Sequence, residues 1–358
     1  MELIKITEGS TKLWVPDAKK YKLDSKMPVF FNPVMHLNRD ITVDIVKTMN
    51  RPKSLDLLAG TGAKGIRLVV EANAKVDLND ANPSAVKLIK KNAKLNKVEV
   101  EVFNESANKL LRGSRRTYDF IDIDPFGTPV PFLAQSLNRL RKSGIVAVTA
   151  TDTSALCGTY PKACMRKYDS LNQKTQMMFE IGTRILIKKV VADGLNIGIA
   201  LEPVFAHSSN HYMRVYLRRV ENLRKVRQNL KFLFLCPNCF TWKFENKMPE
   251  TKVRCGCGKY SEILGPMWTG SLYDKKLLKQ IPDSNKTVQK IKEEVDVFGY
   301  YNYHMMSKKL KDVGELPKMD FIIEKIRKKG FKASRTHFSP TGIKTNLPAK
   351  SFLRLLYS

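Results

Sequence analysis

Acidic residues are scarce in this chain. Its 358 residues include 34 Asp and Glu against 63 Lys and Arg, so the formal net charge at neutral pH is +29. An excess of this size is typical of proteins that bind a polyanion. Nucleic acid is therefore the favoured partner, and an anionic membrane surface is the main alternative.

Long hydrophobic runs are missing as well. No stretch approaches the roughly 18 apolar residues that a membrane-spanning helix requires. The N-terminal sequence MELIKITEGSTKLWVPD lacks the basic-then-apolar layout of a signal peptide. Cysteine is rare, with six in the chain, which is too few for a secreted disulfide-rich scaffold. We therefore expect a cytoplasmic protein with no membrane contact.

From about residue 54, strand and helix patterns alternate along the chain. Such alternation predicts an α/β fold with a mainly parallel, doubly wound sheet and helices on both faces. A further helix is expected at 163–193, followed by an antiparallel strand pair at the sheet edge, 197–205 and 211–219. The predicted strands of the alternating part are SLDLLA (54–59), KVDLND (75–80), VEVEVF (98–103), YDFIDID (118–124) and GIVAVTA (144–150).

A glycine-rich turn follows the first of these strands. AGTGAKG contains Gly60, Gly62 and Gly65 in a G-x-G-x-x-G pattern, and Asp80 ends the next strand. The glycines let the backbone approach a ligand closely, and the N-terminus of the following helix suits an anionic group. Asp80 can accept hydrogen bonds from both hydroxyls of a ribose. NAD and S-adenosylmethionine both fit this arrangement.

The segment IDIDPFGTP (121–129) decides between these cofactors. Asp124 ends a buried strand and is followed by Pro125, Phe126 and Gly127. This sequence has no task in hydride transfer, but it resembles the Asp/Asn-Pro-Pro-aromatic motif of amino-methyltransferases. In such a motif a carboxylate and a backbone carbonyl accept the N–H groups of a poorly nucleophilic exocyclic amine, while the ring stacks on the base. The pattern predicts S-adenosylmethionine as the methyl donor and catalysis mainly by positioning.

Four cysteines form a separate pattern. Cys236-x2-Cys239 and Cys255-x-Cys257 have nearly the spacing of a four-cysteine zinc site. Two disulfides are the alternative, which a cytosolic setting disfavours. Because four thiolates leave no open coordination position, we expect a structural Zn²⁺ and not a catalytic one.

Several longer motifs identify a family. The chain closely resembles the tRNA (guanine-26, N2-N2) dimethyltransferases of archaea and eukaryotes, in particular the archaeal type. The resemblance runs through most of the chain and rests on PVFFNPVMHLNRD (28–40), LDLLAGTGAKGIR (55–67), IDIDPFGTP (121–129), VTATDTSALCGTYPKACMRKY (148–168), EIGTRIL (180–186), GPMWTGSL (265–272) and ASRTHFSPTGIKTN (333–346).

The resemblance implies two domains and an activity. A class I, Rossmann-like methyltransferase domain would occupy residues 1–225, with a substrate-binding segment at 1–50. A smaller α+β domain at 226–358 would hold the zinc site and bind tRNA. The implied reaction is methylation of N2 of guanine 26 in tRNA by S-adenosylmethionine, which gives N2-methyl- and N2,N2-dimethylguanine. No protein partner is implied as a requirement.

The resemblance also assigns residues to the reaction. Asp124 matches the catalytic aspartate of the family, and we include the adjoining Pro125 with it. Phe30 and Phe126 match the aromatic residues that are expected to sandwich the target base. A guanine that stacks on two rings in this way must first leave its own stack in the tRNA.

The cofactor residues carry over in the same way. Arg39 and Arg67 match arginines at the cofactor, where a guanidinium group can clamp the methionine carboxylate. Asp80 matches the acid that binds the ribose. Where relatives place an acid to bind the adenine amino group, this chain has Ser106 with Glu105 beside it, and either side chain is a candidate for that contact. The backbone N–H of Ala107 can also bind adenine.

The glycine turn departs from the family pattern at one position. It reads Ala59-Gly60-Thr61-Gly62 where the family usually has Ser-Ala-Thr-Gly, so we assign no polar role to its first residue. Gly60 and Gly62 remain predicted contacts of the cofactor.

Two other functions are compatible with parts of the sequence. One is methylation of an adenine amine in nucleic acid, which the Asp-Pro-aromatic logic alone would allow. The other is a non-catalytic, zinc-containing RNA-binding protein, against which the intact set of predicted site residues argues. In either case we expect the basic segment 325–346 to contact the phosphates of the nucleic acid without reading its bases.

Overall fold

The N-terminal part of the protein is a hairpin followed by an extended segment. The computed structural model describes residues 1–24, 26–209, 211–308 and 316–357. Strands β1 (Leu3–Glu8) and β2 (Thr11–Pro16) pair in antiparallel fashion. The chain then runs to helix α1 (His36–Lys47), and this stretch lies over the carboxyl edge of the central sheet.

A seven-stranded sheet forms the centre of the molecule. Its strands are β3 (Lys53–Asp56), β4 (Lys75–Asn79), β5 (Glu101–Phe103), β6 (Tyr118–Ile123), β7 (Leu140–Ala150), β8 (Ala200–Ser209) and β9 (Tyr212–Val220). The strand order is β5-β4-β3-β6-β7-β9-β8, and only the two pairs that involve β9 are antiparallel. The predicted mainly parallel sheet with an edge hairpin is confirmed.

Helices cover both faces of this sheet. Helices α1, α2 (Ala63–Ala72) and α3 (Pro83–Leu95) share one apolar core with one face. The other face carries α4 (Ala107–Gly113), α5 (Leu133–Leu137), α6 (Thr153–Leu156), α7 (Pro161–Tyr168) and α8 (Met178–Asn196). In the part of the chain that the structure describes, no helix combines the length and apolar character needed to cross a membrane.

The single helix predicted for residues 163–193 is wrong, because α7 and α8 are separate. Asp169 adopts a left-handed conformation (φ 50°) and ends α7. Leu171 then exchanges two backbone hydrogen bonds of 2.7 Å with Gly265, far away in the sequence. The residues between the helices therefore satisfy their backbone groups through a tertiary contact, which a local pattern does not reveal.

The remaining residues form two small antiparallel sheets and six helices among the described residues. After α9 (Leu223–Arg227), the first sheet has the order β11-β10-β12, and the second has the order β13-β15-β14. These strands and helices are β10 (Leu230–Leu235), β11 (Trp242–Glu245), β12 (Glu262–Trp268), α10 (Lys275–Gln280), α11 (Lys286–Glu293), β13 (Tyr301–Asn302), α12 (Tyr303–Ser307), α13 (Met319–Lys328), β14 (Ala333–Thr336), β15 (Ser339–Thr345) and α14 (Ala349–Tyr357).

The C-terminal region packs extensively on the central sheet. Residues of β10 and β12 share the core of α8, and α10 and α11 share the core of α1 on the opposite face. A buried carboxylate, Glu180 of α8, pairs with Arg184 (2.8 Å) and with Lys344 of β15 (2.9 Å). Burial opposes its ionisation, but these two cations hold the pKa of Glu180 at about 2. The domain boundary near residue 225 stays a prediction.

Replacing Lys344 tests this connection. Lys344→Met would leave the buried Glu180 with Arg184 as its one cationic partner among the described residues, beside the N–H of Gly299, so we expect the free energy of unfolding to fall by about 3–5 kcal/mol. Lys328→Met is the matched control, because Lys328 pairs with Glu324 on an exposed helix surface and should change stability by less than about 1 kcal/mol. Urea denaturation measures both variants, and equal stability of the two would contradict the expectation.

Candidate active site

One cavity of about 410 Å³ lies at the carboxyl ends of β3, β4, β6 and β7. In an open α/β sheet this edge is where ligands bind. The predicted site residues that line the cavity are Phe30, Arg39, Gly60, Asp80, Asp124, Pro125 and Phe126. The predicted residues Gly62, Arg67, Ser106 and Ala107 do not line it. The structure thus brings the cofactor motif and the acid-Pro-Phe motif together in one place.

The glycine turn and Asp80 form a single hydrogen-bonded unit. Gly60 (φ +54°) and Gly62 (φ +75°) both have left-handed conformations, which favour glycine. A Cβ at Gly60 would lie only 2.9 Å from the carbonyl oxygen of Phe30, so a side chain there would push the N-terminal segment away. The carboxylate of Asp80 accepts the N–H groups of Gly60 and Asn82, each at 2.8 Å. Burial raises the pKa of Asp80, and these two hydrogen bonds partly offset that effect.

A cluster of buried charges lies at the floor of the cavity. Lys64, in the first turn of α2, donates to Asp124 Oδ2 at 2.6 Å and to Asp122 Oδ1 at 2.9 Å. Arg214 of β9, which is fully buried, forms an ion pair with Asp122 from the other side. Asp56, at the end of β3, completes the cluster of three acids and two bases and accepts a backbone N–H of α2 at 3.0 Å.

The cluster holds its acids in different protonation states. Burial alone would raise the pKa of Asp124, but Lys64 and Arg214 more than offset it, so the pKa lies below its ordinary value. Burial and the charge of Asp122 instead raise the pKa of Asp56 to about 7. Asp124 is therefore ionised at neutral pH, and the cluster is electrically neutral when Asp56 carries a proton.

Two phenylalanine rings meet at the mouth of the cavity. The ring centroids of Phe30 and Phe126 are 4.3 Å apart, and the ring planes are inclined at 70° in an edge-to-face contact. Phe126 is half exposed, whereas the neighbouring Phe31 is buried against the N-terminal hairpin and α2. The structure places the predicted pair side by side, but without a gap for a base between the rings.

The loop that follows Asp124 is tied to the end of β7. The Gly127 N–H donates to Thr151 Oγ1 at 2.7 Å, and the Thr151 N–H donates to the Gly127 carbonyl at 2.9 Å. Among the described residues, none donates a hydrogen bond to the carbonyl of Pro125. This carbonyl and the Asp124 carboxylate are thus two neighbouring acceptors beside an exposed aromatic ring.

Comparisons with known proteins agree with this geometry. The family of N2,N2-dimethylguanosine tRNA methyltransferases matches residues 9–357. This chain belongs to that family. Proteins from Methanosphaera stadtmanae and Saccharolobus solfataricus, both named tRNA (guanine(26)-N(2))-dimethyltransferase, are each 37% identical to it. The alignments cover 98% and 97% of this chain and 96% of either relative.

A solved structure is similar along the whole chain. Trm1 from Pyrococcus horikoshii, in complex with S-adenosyl-L-methionine, is 31% identical with a TM-score of 0.89. The match covers 99% of this chain and 100% of that protein. The predicted family and the Rossmann-like methyltransferase fold are confirmed.

The two arginines that were predicted to contact the cofactor, Arg39 and Arg67, form ion pairs with acidic side chains of this protein. Arg39 lines the cavity, and its guanidinium donates to both carboxylate oxygens of Glu8 at 2.6 and 2.7 Å. Arg67 lies deeper and pairs with Asp40 at 2.6 Å and with Glu71 at 2.8 Å. Of the two, Arg39 is therefore the better placed to meet a cofactor carboxylate, and the clamp itself stays a prediction.

The residues predicted at the adenine lie beside the cavity. Ser106 precedes the first residue of α4, Ala107, shortly after β5, and β5 neighbours β4, which Asp80 follows. Ser106 is exposed and Ala107 is buried. Their role in adenine binding stays a prediction.

The four predicted zinc ligands converge. The Sγ atoms of Cys236 and Cys257 are 3.5 Å apart, as are those of Cys239 and Cys255, and all four atoms lie within 4.8 Å of one another. All four cysteines are free thiols, so the alternative of two disulfides is not what the structure contains. No other group of three or more potential ligands occurs among the described residues.

Sequence reasoning assigned no role to four members of the charge cluster, namely Asp56, Lys64, Asp122 and Arg214. Lys64 lies inside the glycine motif, and this motif by itself predicts contacts of the backbone and not of a lysine side chain. Arg214 lies among the apolar residues in the first, buried half of β9, which is a signal that a charged partner is buried nearby. The identity of that partner, Asp122, depends on the pairing of β7 with β9 and was not readable from the sequence.

The raised pKa of Asp56 predicts a pH dependence of stability. Between pH 4 and 7 the folded protein keeps a proton on Asp56 that the unfolded chain releases, so stability should fall as the pH rises. The slope is at most about 1.4 kcal/mol per pH unit. The Asp56→Asn variant lacks this titrating group. The difference in unfolding free energy between the native protein and this variant should therefore decline by a few kcal/mol from pH 4 to pH 7, as measured by urea denaturation. A difference that stays constant with pH would contradict the raised pKa of Asp56.

Proposed function

We propose that this protein transfers methyl groups from S-adenosylmethionine to N2 of guanine 26 in tRNA, giving N2-methyl- and then N2,N2-dimethylguanine. The observation that carries the proposal is the position of Asp124, Pro125 and Phe126 in the same cavity as Gly60 and Asp80. Membership of the dimethylguanosine methyltransferase family supports the substrate and the position of the base.

The cavity fits the proposed cofactor. Asp80 offers the remaining lone pairs of its carboxylate to the ribose hydroxyls, and Gly60 leaves room for the nucleoside beside the turn. Arg39 can bind the methionine carboxylate if it exchanges its present partner, Glu8, for the ligand. When bound, S-adenosylmethionine supplies an electrophilic methyl group on its sulfonium.

Asp124 and Pro125 orient the amine. The lone pair of a guanine N2 is delocalised into the ring, so the nitrogen attacks poorly unless its hydrogens are held. The Asp124 carboxylate accepts one N–H and the free carbonyl of Pro125 accepts the other. Lys64 shares the Asp124 carboxylate at 2.6 Å and keeps it ionised and fixed in place.

Asp124 acts as a hydrogen-bond acceptor more than as a strong base. Its pKa lies below the ordinary value, so it binds a proton weakly. A weak base suffices, because an alkylated exocyclic amine readily loses its extra proton and regains conjugation with the ring. Asp124 takes up this proton and must release it to solvent before a second methyl transfer. The two hydrogens on N2 account for the two transfers.

The Phe30–Phe126 pair receives the base. A base stacked between two parallel rings needs them about 7 Å apart, twice the optimal carbon–carbon contact distance. The present centroid distance is 4.3 Å, so the rings must separate and turn when the guanine enters. Stacking returns about 1–3 kcal/mol for each ring, which roughly offsets the cost of extruding the base.

Analysis of the modified nucleoside tests the function. The protein is incubated with labelled cofactor and tRNA, and the nucleosides are separated by mass spectrometry. We expect label in N2-methyl- and N2,N2-dimethylguanine, and none when guanine 26 of the tRNA is replaced by adenine. Label in a methylated adenine would favour the rival amine, and tRNA binding without any label would favour a non-catalytic protein.

Asp124→Asn tests the mechanism. The amide keeps the size of the side chain but not its charge, so the methylation rate should fall about 10²–10⁴-fold. Affinity for tRNA should change little, because the tRNA body is held by the basic surface. Asp169→Asn, which also removes one carboxylate but lies outside the cavity, is the control and should keep full activity. Loss of tRNA binding in Asp124→Asn would make this residue structural.

We further propose that the four cysteines bind a structural Zn²⁺. Tetrahedral zinc with Zn–S bonds of about 2.3 Å places the sulfur atoms about 3.8 Å apart, close to the geometry of the four thiols. The turn that contains Cys236 and Cys239 lies between Leu235, which packs in the central core, and Phe240, which packs in the C-terminal core. The ion would therefore fix the positions of these two cores relative to each other.

The cytoplasmic location of the protein also stays a prediction.

Metal content tests the zinc proposal. The purified protein should contain about one zinc ion per chain, and Cys239→Ser should lose most of it and unfold at a lower temperature. Cys157→Ala removes a cysteine outside the cluster and should keep the ion. Equal zinc content in both variants would show that the cluster is not the binding site.

A further inference from the structure

A second cavity opens at the same edge of the sheet as the active site. Strand β8 runs parallel to β7, because both are antiparallel to β9, so its terminal Ser208 and Ser209 lie at the edge where Asp124 follows β6. The two serines line a cavity of about 340 Å³. Three strand spacings separate β6 from β8, which is about 14 Å. This span corresponds to about four nucleotide steps of a stacked strand.

Helix α1 separates the two cavities. Arg39 of this helix lines the active site, whereas Leu37, on the other side of the helix, lines the second cavity. A nucleic-acid strand that delivers a base to the active site therefore has the second cavity within reach.

The second cavity carries unpaired positive charge. Lys286 and Lys290 lie one turn apart in α11, line the cavity and are exposed. Neither lysine has an acidic partner within 4.0 Å among the described residues, whereas the nearby Lys292 pairs with Asp283. Thr287, in the first turn of the same helix, also lines the cavity. Two lysines with a hydroxyl at a helix N-terminus suit a phosphate group.

A histidine in the same lining has a buried nitrogen without a partner. The side chain of His337 is 2% exposed, and its Nδ1 lies 2.6 Å from Glu294 Oε1. Glu294 Oε1 also accepts the backbone N–H of His337, so it is the acceptor in the contact with Nδ1, and the tautomer protonated at Nδ1 leaves Nε2 as an acceptor. Nε2 is buried, and no described residue bonds to it. The Thr336 hydroxyl also donates to Glu294 Oε1, which helps to fix the carboxylate and, through it, the orientation of the His337 ring.

We propose that this cavity binds one ribonucleotide of the tRNA backbone, a few nucleotides from the modified guanine. Its phosphate lies on Lys286 and Lys290, and its 2′-hydroxyl donates to His337 Nε2. A hydroxyl at this position satisfies a buried acceptor that is otherwise unpaired, and it is the group that distinguishes RNA from DNA. The inference rests on the proposed function, since it takes tRNA as the substrate.

The charge is tested by the salt dependence of tRNA binding. With the full-length protein and no cofactor, Lys286→Ala/Lys290→Ala should weaken binding and reduce the slope of log K against log salt by about 1. Lys90→Ala/Lys94→Ala is the control, because these exposed lysines are also one turn apart but lie in α3, near the opposite end of the sheet. Equal slopes for the two double variants would overturn the proposal.

The hydroxyl is tested with tRNAs that carry a single 2′-deoxy nucleotide, placed in turn at each position near guanine 26. The native protein should lose roughly 2- to 10-fold in affinity at one position. His337→Phe should bind less tightly and show no dependence at that position. A uniform response of the native protein across all positions would overturn the proposal, whether or not the His337 variant folds.

These binding measurements separate the two proposals. If the native protein binds tRNA but neither arm shows the expected change, the ribonucleotide site is wrong and the proposed methylation stands. If methylation of guanine 26 is not observed while both arms respond, the site stands and the proposed reaction is wrong.

Discussion

The ion pair between Lys64 and Asp124 connects the two halves of the active site. Lys64 lies in the first turn of α2, directly after the glycine turn, and Asp124 follows β6, so a single ammonium group couples the proposed cofactor side to the proposed base side. The same ammonium also pairs with Asp122, which Arg214 holds from β9. Because these charges are buried, each depends on its partners, and the Asp124 carboxylate is set in position by residues of α2, β6 and β9.

This arrangement agrees with the proposed role of Asp124 as a hydrogen-bond acceptor of low basicity. An ionised Asp124 is available to accept an amine hydrogen at any pH near neutrality, and Lys64 restricts the directions in which it can do so. Positioning of this kind lowers the barrier without a strong base. Phe30 and Phe126 lie in edge-to-face contact at the mouth of the same cavity, where the proposal has them stack on the base.

The C-terminal region contributes to the same edge of the sheet. Helix α11 and the loop between β14 and β15 bring Lys290 and His337 next to the end of β8, while the buried pair of Glu180 and Lys344 fixes β15 on α8. The C-terminal region thus has one core of its own, while β10, β12, α10 and α11 pack into the two cores that flank the central sheet. The consequence is that residues far apart in sequence lie at defined distances from Asp124 along one edge of the sheet.

The sequence by itself determined the parts that depend on residue type and local spacing. Gly60 and Gly62 let the backbone approach a ligand, Asp124-Pro125-Phe126 resembles a methyltransferase motif and the four cysteines suit one metal, and these features were predicted together with the parallel sheet and the family. Only the tertiary structure decided the break between α7 and α8, the partners of Lys64 and Arg214 and the pairing of Arg39 with Glu8. The physical reason is that each of these depends on a contact between residues far apart in sequence, such as Leu171 with Gly265 or Arg214 with Asp122. Local patterns carry no information about which distant partner satisfies a buried polar group.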